Sequence, residues 1–396
     1  MPGRKQAVAL FILCVVLCLS FAGAGAQSLA PYSDVRDQDI SVLDLRDQLD
    51  LVFTLSFDTH TKWPESAQMP AGFDPEVLLE LGKDPGLGIR ELQELGFNGA
   101  GVVVAYIDQG LLLNHTAYDN VKLHYEEIQP ASPSMHGPAV LSLLAGKEIG
   151  LIPEAEVYYF AIGGTEDGNK YEALAFERIL ELNEILPENK KIQIVGMSHV
   201  AEHNLNKEYA EQLEEAQRKV RESGVIVVDV GCGMAVTGVK GYNDRDDYRN
   251  FEYGFLRNTH AAFFDGRLVV PGDNRTSAAG YLNDPNHYIY WGQGGQSWGV
   301  PYITGLIAMA LQINPDLTEA EAFHYLHATA DDHLGAKLVN PRRFLESVAS
   351  AANHPLSPRA DMKNYRYFLY NFHEVTREDF SAISATWIDL RIQKTS

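Results

Sequence analysis

The sequence predicts an α/β fold, a doubly wound parallel sheet flanked by helices. Three observations carry that expectation. The run Val102-Val103-Val104-Ala105-Tyr106-Ile107 is unbroken, largely β-branched, and stopped by Asp108-Gln109-Gly110, as a central parallel strand should be. Further apolar runs then alternate with helical stretches at the lengths of βαβ units. Finally, Ser297 to Ile313 is a long apolar helix whose Gly305, Ala308 and Ala310 suit close packing in a buried layer.

In chain order, residues 27–70 read as an acidic, irregular N-terminal extension in which Leu51-Val52-Phe53-Thr54-Leu55 is expected to be a strand. Pro75 opens a helix through Leu81, and a second helix runs from Ile89 to Leu95 and stops at Gly96. After the central strand, Leu141–Leu144 is helical behind His136-Gly137, and Glu156–Ile162 is a strand. Helix Ala173–Leu186, strand Ile192–Met197, helix Tyr209–Ser223 and strand Val225–Val228 continue the alternation. Residues 234–290 break it, with the Asp, Asn, Tyr and Gly content of short antiparallel strands and loops. From 351 to 396 an aromatic tail (Tyr365, Tyr367, Phe368, Tyr370, Phe372) is expected to pack on the body, and the reading finds no internal repeat. The main domain is accordingly placed at 71–350.

The composition excludes several roles. Asp and Glu outnumber Lys and Arg by 53 to 32, for a formal charge of −21, so a nucleic-acid or anionic-membrane surface is not expected. Residues 1–26 read as a signal peptide: Arg4 and Lys5, the apolar run Ala7–Phe21, then Ala24-Gly25-Ala26. An exported protein, secreted or in the cell envelope and bacterial in signal type, is the expectation, with no membrane span after cleavage. Cys14 and Cys18 leave with the signal, so Cys232 alone remains, without an internal disulfide or a cysteine-based zinc site.

Chemistry in such a sheet belongs at the carboxyl ends of its strands. Asp108 ends the central strand, His136 opens a helix, and Ser297 opens the buried one. Each has an ordinary alternative: a turn cap, a core histidine, a helix cap. Together they form the set for an activated nucleophile. The carboxylate orients the imidazole, the imidazole takes the hydroxyl proton, and the helix start offers a backbone N–H to an oxyanion.

At these residues the chain resembles the subtilisin-like serine peptidases. GVVVAYIDQG (101–110) is similar to the family's strand ending in D-[ST]-G, and HGPAVLSLLAG (136–146) to its H-G-T-H-V-A-G-x-x-A-G. IGLIPEAEVYYFAI (149–162), IVGMSHV (194–200) and SGVIVVDVGCG (223–233) resemble the successive strand motifs, and GQSWGVPYITG resembles G-T-S-M-A-x-P-x-V-x-G. The resemblance runs from about 85 to 345 and keeps the order Asp, His, Ser. It implies a serine endopeptidase acting on proteins or peptides through an acyl-enzyme, with Asp108, His136 and Ser297 as its triad and no required cofactor.

The departures define a second reading. Gln296 replaces Thr, Trp298-Gly299 replaces Met-Ala, and Ala139 replaces the second His. The Asn that donates to the oxyanion aligns with Gly233, behind Cys232, and losing such a donor costs about 10²–10³ in rate. Either His199, beside Ser198, supplies the bond instead, or the protein is a weak or silent homologue that binds peptides or regulates another peptidase. His199, Val200 and Ala201 also alter the primary pocket wall. Asn243, Asp244, Asp246 and Asp247 form a hard-oxygen group that could hold calcium, but without EF-hand spacing a solvated loop is the simpler expectation. An α/β-hydrolase is excluded by motif and by triad order. Nothing in the sequence bears on oligomeric state.

Overall fold

The computed structural model describes residues 29–163, 167–201, 206–254, 264 and 266–352. The signal segment, and the aromatic tail beyond Ala352, lie outside the described residues. Among those described, no helix is long and apolar enough to cross a membrane.

The N-terminal segment is built into the body. Asp34, Asp39 and Asp44 each accept the backbone N–H two residues on, at 3.1, 3.1 and 3.3 Å. These turns leave Val35, Ile40 and Leu45 pointing inward, and their own N–H groups bond the carbonyls of Ser56, Lys62 and Gln68. Three turns thus recur every five residues, a short repeat that the sequence reading missed because only the Asp and the aliphatic position recur. The expected strand at Leu51–Leu55 is instead a single helical turn, α1 (Leu49–Val52), followed by β1 (Phe57–Asp58). Val52 and Leu55, three apart, both point inward, which is helical rather than strand spacing. β1 pairs antiparallel with a late strand, so residues 29–70 share a core with Phe73, Leu78 and Tyr290.

Helices α2 (Pro75–Leu81) and α3 (Ile89–Glu94) follow as expected; Asp74 caps the first, with Pro75 where a missing N–H is harmless. The main sheet is β2 (Val103–Gln109), β3 (Lys122–Glu127), β4 (Glu156–Ile162), β5 (Ile194–Met197) and β6 (Ile226–Asp229). Its order is β3-β4-β2-β5-β6, with every neighbouring pair parallel. Between these strands run α4 (His136–Ala145), α5 (Gly168–Ile185) and α6 (Lys207–Glu222).

Strand β2 displays why the fold has two faces. Val103, Ala105 and Ile107 enter one core with Phe176 and Ile179 of α5 and Leu213 and Val220 of α6. Val104 and Tyr106, on the other face, enter a second core with Val140 and Leu144 of α4. Alternate side chains of a strand point to opposite faces, so a strand buried on both must be apolar throughout. This is the doubly wound arrangement expected.

Residues 234–291 form β7 (Met234–Val239), β8 (Phe251–Glu252), β9 (Leu268–Pro271), β10 (Arg275–Ala278) and β11 (Tyr288–Trp291). They are not all antiparallel as expected: β7 and β9 run parallel, while β10 and β11 are antiparallel. The apolar helix α7 (Gln296–Ile313) is buried from Trp298 to Ile313 and packs in the same core as α4. Gly305 permits this, because a Cβ there would lie 2.7 Å from the Leu151 side chain.

Candidate active site

The loops at the carboxyl ends of the parallel strands bring the candidate residues together. Asp108 sits next to last in β2 with its side chain 5% exposed, and His136 is the first residue of α4. Their approach is enforced by backbone packing. A Cβ on Gly137 would lie 2.1 Å from the Gln109 carbonyl, so the start of α4 presses on the end of β2 only because Gly137 has no side chain. His136 Nδ1 stands 2.7 Å from Asp108 Oδ1. A carboxylate only accepts, so Nδ1 carries the proton and Nε2 is the basic nitrogen.

Ser297 is the second residue of α7, behind the N-cap Gly295, and is therefore not itself the cap. Pro301 is the sixth helical residue, inside the helix. Its missing N–H would have bonded the Ser297 carbonyl. Ser198 fills the vacancy: its hydroxyl donates to that carbonyl at 3.0 Å and in turn receives the Tyr106 hydroxyl at 2.8 Å. The Ser297 hydroxyl donates to the Ser198 carbonyl at 3.4 Å, a long bond, rather than to His136. Nucleophile–base contacts are often loose before substrate binds.

Trp298 explains one departure from the family pattern. Its indole packs against the His136 ring at a centroid distance of 5.0 Å and against Trp291 at 5.2 Å. The imidazole is thus held by Asp108 at one nitrogen and by Trp298 at its side.

Gly233, the position aligned with the oxyanion Asn, carries no side chain. Gly233 ends a short turn over Val230–Cys232 with φ +82°, and a Cβ built there meets nothing within 4 Å. Burial pushes the Cys232 thiol up to about 12, so it stays protonated and is a weak donor. Gln296 spends its amide on the Met234 carbonyl at 2.9 Å. His199, the suggested substitute, is gripped at Nδ1 by the buried Glu172 carboxylate, 2.9 Å away. Sequence reasoning missed Glu172 and Tyr106 and saw Trp298 only as a departure in the motif, because their contacts depend on which strand faces which helix.

The carboxylates of the acidic loop bond backbone N–H groups. Asp244 caps Asp246 N, Asp246 accepts from Gly88 N at 2.7 Å, and Asp247 caps Arg249 N. Among the described residues no group of three or more His, Cys, Asp or Glu is disposed to hold a metal.

No family model matches the chain, and no curated protein matches it. Among solved structures it is similar to the prenylagaramide maturation protease PagA, at 18% identity and a TM-score of 0.46, over 66% of this chain and 99% of that one. It is similar to the PatG macrocyclase domain at 14% identity and a TM-score of 0.46, over 66% and 95%. A protease from Pseudoalteromonas arctica PAMC 21717 gives 16% identity and a TM-score of 0.45, over 69% and 98%.

Proposed function

We infer that the chain is an exported, subtilisin-like serine endopeptidase that hydrolyses peptide bonds through an acyl-enzyme. The observation that carries this reading is the 2.7 Å Asp108–His136 bond at the carboxyl end of the central strand, with Ser297 in the first turn of a buried helix. In this mechanism His136 Nε2 takes the Ser297 proton as the hydroxyl oxygen attacks the scissile carbonyl. Asp108 stabilises the imidazolium, which then protonates the leaving amine. The N–H of Ser297, at the start of an 18-residue helix, faces the developing oxyanion with the helix dipole behind it. Water, deprotonated by His136, releases the acyl group.

A second reading has its own observation. Gly233 offers no side-chain donor and Ser297 rests on Ser198, which favours a silent homologue that binds peptides. Hydrolysis of a protein substrate by the parent and by Asp108→Asn, His136→Ala and Ser297→Ala separates the two. The peptidase reading expects activity lost in all three variants. A parent no more active than Ser297→Ala would leave the silent homologue.

A further inference from the structure

Behind the nucleophile loop lies a buried carboxylate that the triad does not use. Asp273 follows β9 and is 5% exposed. Its backbone is fixed to β7, where the Thr237 carbonyl accepts from both Gly272 N and Asp273 N, at 2.9 and 3.0 Å. Its Oδ1 accepts the N–H of Gly294 at 2.7 Å, the short length of a charge-assisted bond. Gly294 is held there closely, since a Cβ on it would lie 2.1 Å from the Gly272 carbonyl and 2.9 Å from Trp298 Cδ1. The next residue, Gly295, is the N-cap of α7 and accepts from Trp298 N at 2.9 Å. A continuous set of contacts therefore joins Asp273, Gly294, Gly295, Trp298 and the His136 ring.

We propose that Asp273 is a positioning residue, whose bond to Gly294 fixes the lead-in to α7 and so sets Ser297 against His136. The proposal rests on the peptidase reading. Asp273 touches neither substrate nor the reacting atoms; it acts through the loop. A carboxylate is a costly anchor in such a place. Burial pushes Asp273 up to about 6, with the Gly294 N–H pulling the other way. Among the described residues, Tyr32 of the N-terminal segment and Tyr290 of β11 both feel its charge. Glu252 of β8 shares Tyr32 with it, and Arg245 donates to the neighbouring Asn274 carbonyl at 2.9 Å. An ionised Asp273 accepts the Gly294 bond more strongly than a protonated one, so the loop should be best ordered above about pH 6.

The test is steady-state peptide hydrolysis against pH for the parent, Asp273→Asn, Asp273→Leu and Ser297→Ala. Asp273→Leu removes the acceptor, and kcat should fall by up to about 10²-fold with KM little changed, because a small displacement of reacting groups costs that much. Asp273→Asn keeps an acceptor in place, so it should recover most of the kcat while losing the ionisation near pH 6. Thermal unfolding of each variant checks the fold, and Asp273→Asn carries the test if Asp273→Leu unfolds. Ser297-dependent activity that is unchanged in Asp273→Leu, or altered only in KM, overturns the proposal. So does an Asp273→Asn profile that superimposes on the parent's. A parent without Ser297-dependent activity overturns the peptidase reading, and the positioning role with it.

Discussion

Gly233 is the residue at which the proposed mechanism lacks a side-chain oxyanion donor. Its left-handed φ is one that Asn tolerates better than most residues, and the space beside it is open. Gly233→Asn should therefore raise kcat with little change in KM, within the roughly 10²–10³-fold that one oxyanion donor provides. Kinetics of the single variants and of its combination with His199→Ala show whether His199 already fills the role. If it does, His199→Ala lowers kcat in the parent and matters less beside the new Asn. A parent indifferent to both changes would mean that Gly233 does not face the oxyanion. Ser198 has a structural duty of the same weight. Ser198→Ala leaves the Ser297 carbonyl without the donor that replaces the Pro301 N–H, at a cost of about 1–3 kcal/mol. Denaturant unfolding should register that loss, and an unchanged midpoint would show the carbonyl satisfied elsewhere.

At the scale of elements, β1 is tied to the body by a buried hydrogen bond between a carboxylate and an imidazole. Asp58 Oδ2 and His287 Nε2 are 2.9 Å apart, with both side chains fully inaccessible. Burial opposes the Asp58 charge, but bonds from His287, Asp37 N and Thr61 outweigh it and hold the carboxyl down to about 2. A depressed carboxyl contributes stability above its ordinary 3.8 and loses it as pH falls through about 2. Asp58→Ala should cost about 1–3 kcal/mol by leaving the buried His287 ring without its partner, seen as a lowered unfolding midpoint at neutral pH. A loss under about 1 kcal/mol would show β1 to be loosely attached. What the sequence revealed of such elements follows from their surroundings. The central strand and α7 were legible because both are buried on all sides and therefore apolar throughout. Strand β3 was missed because it lies at the sheet edge, with Lys122, His124 and Glu127 exposed or half-buried along it. The turn ladder at 34–48 was missed because its order comes from carbonyls at Ser56, Lys62 and Gln68, which no local pattern announces. The triad candidates were legible because Asp108 closes an apolar run while His136 and Ser297 stand where helices open. Asp273 was not, since its meaning depends on β9 ending beside the loop before α7.

Across the whole molecule, the buried carboxylates set opposing limits on stability. Asp273, raised to about 6 from 3.8, contributes stability that is fully present below about pH 3.8 and is lost as pH rises through about 6. The difference corresponds to about 3 kcal/mol. Asp273→Asn should thus melt above the parent at about pH 8 and lose that advantage at about pH 4, by calorimetry at the two values. The same melting difference at both would place its origin outside this ionisation. A site that retains such a carboxylate trades stability for order, as functional sites commonly do. The central claim, that Ser297 is a nucleophile activated by His136 and Asp108, is tested most directly by a fluorophosphonate reaction followed by peptide mass mapping. One adduct is expected, on the peptide carrying Ser297, absent in Ser297→Ala and slowed by orders of magnitude in His136→Ala. An adduct elsewhere, or equal labelling in Ser297→Ala, would contradict it.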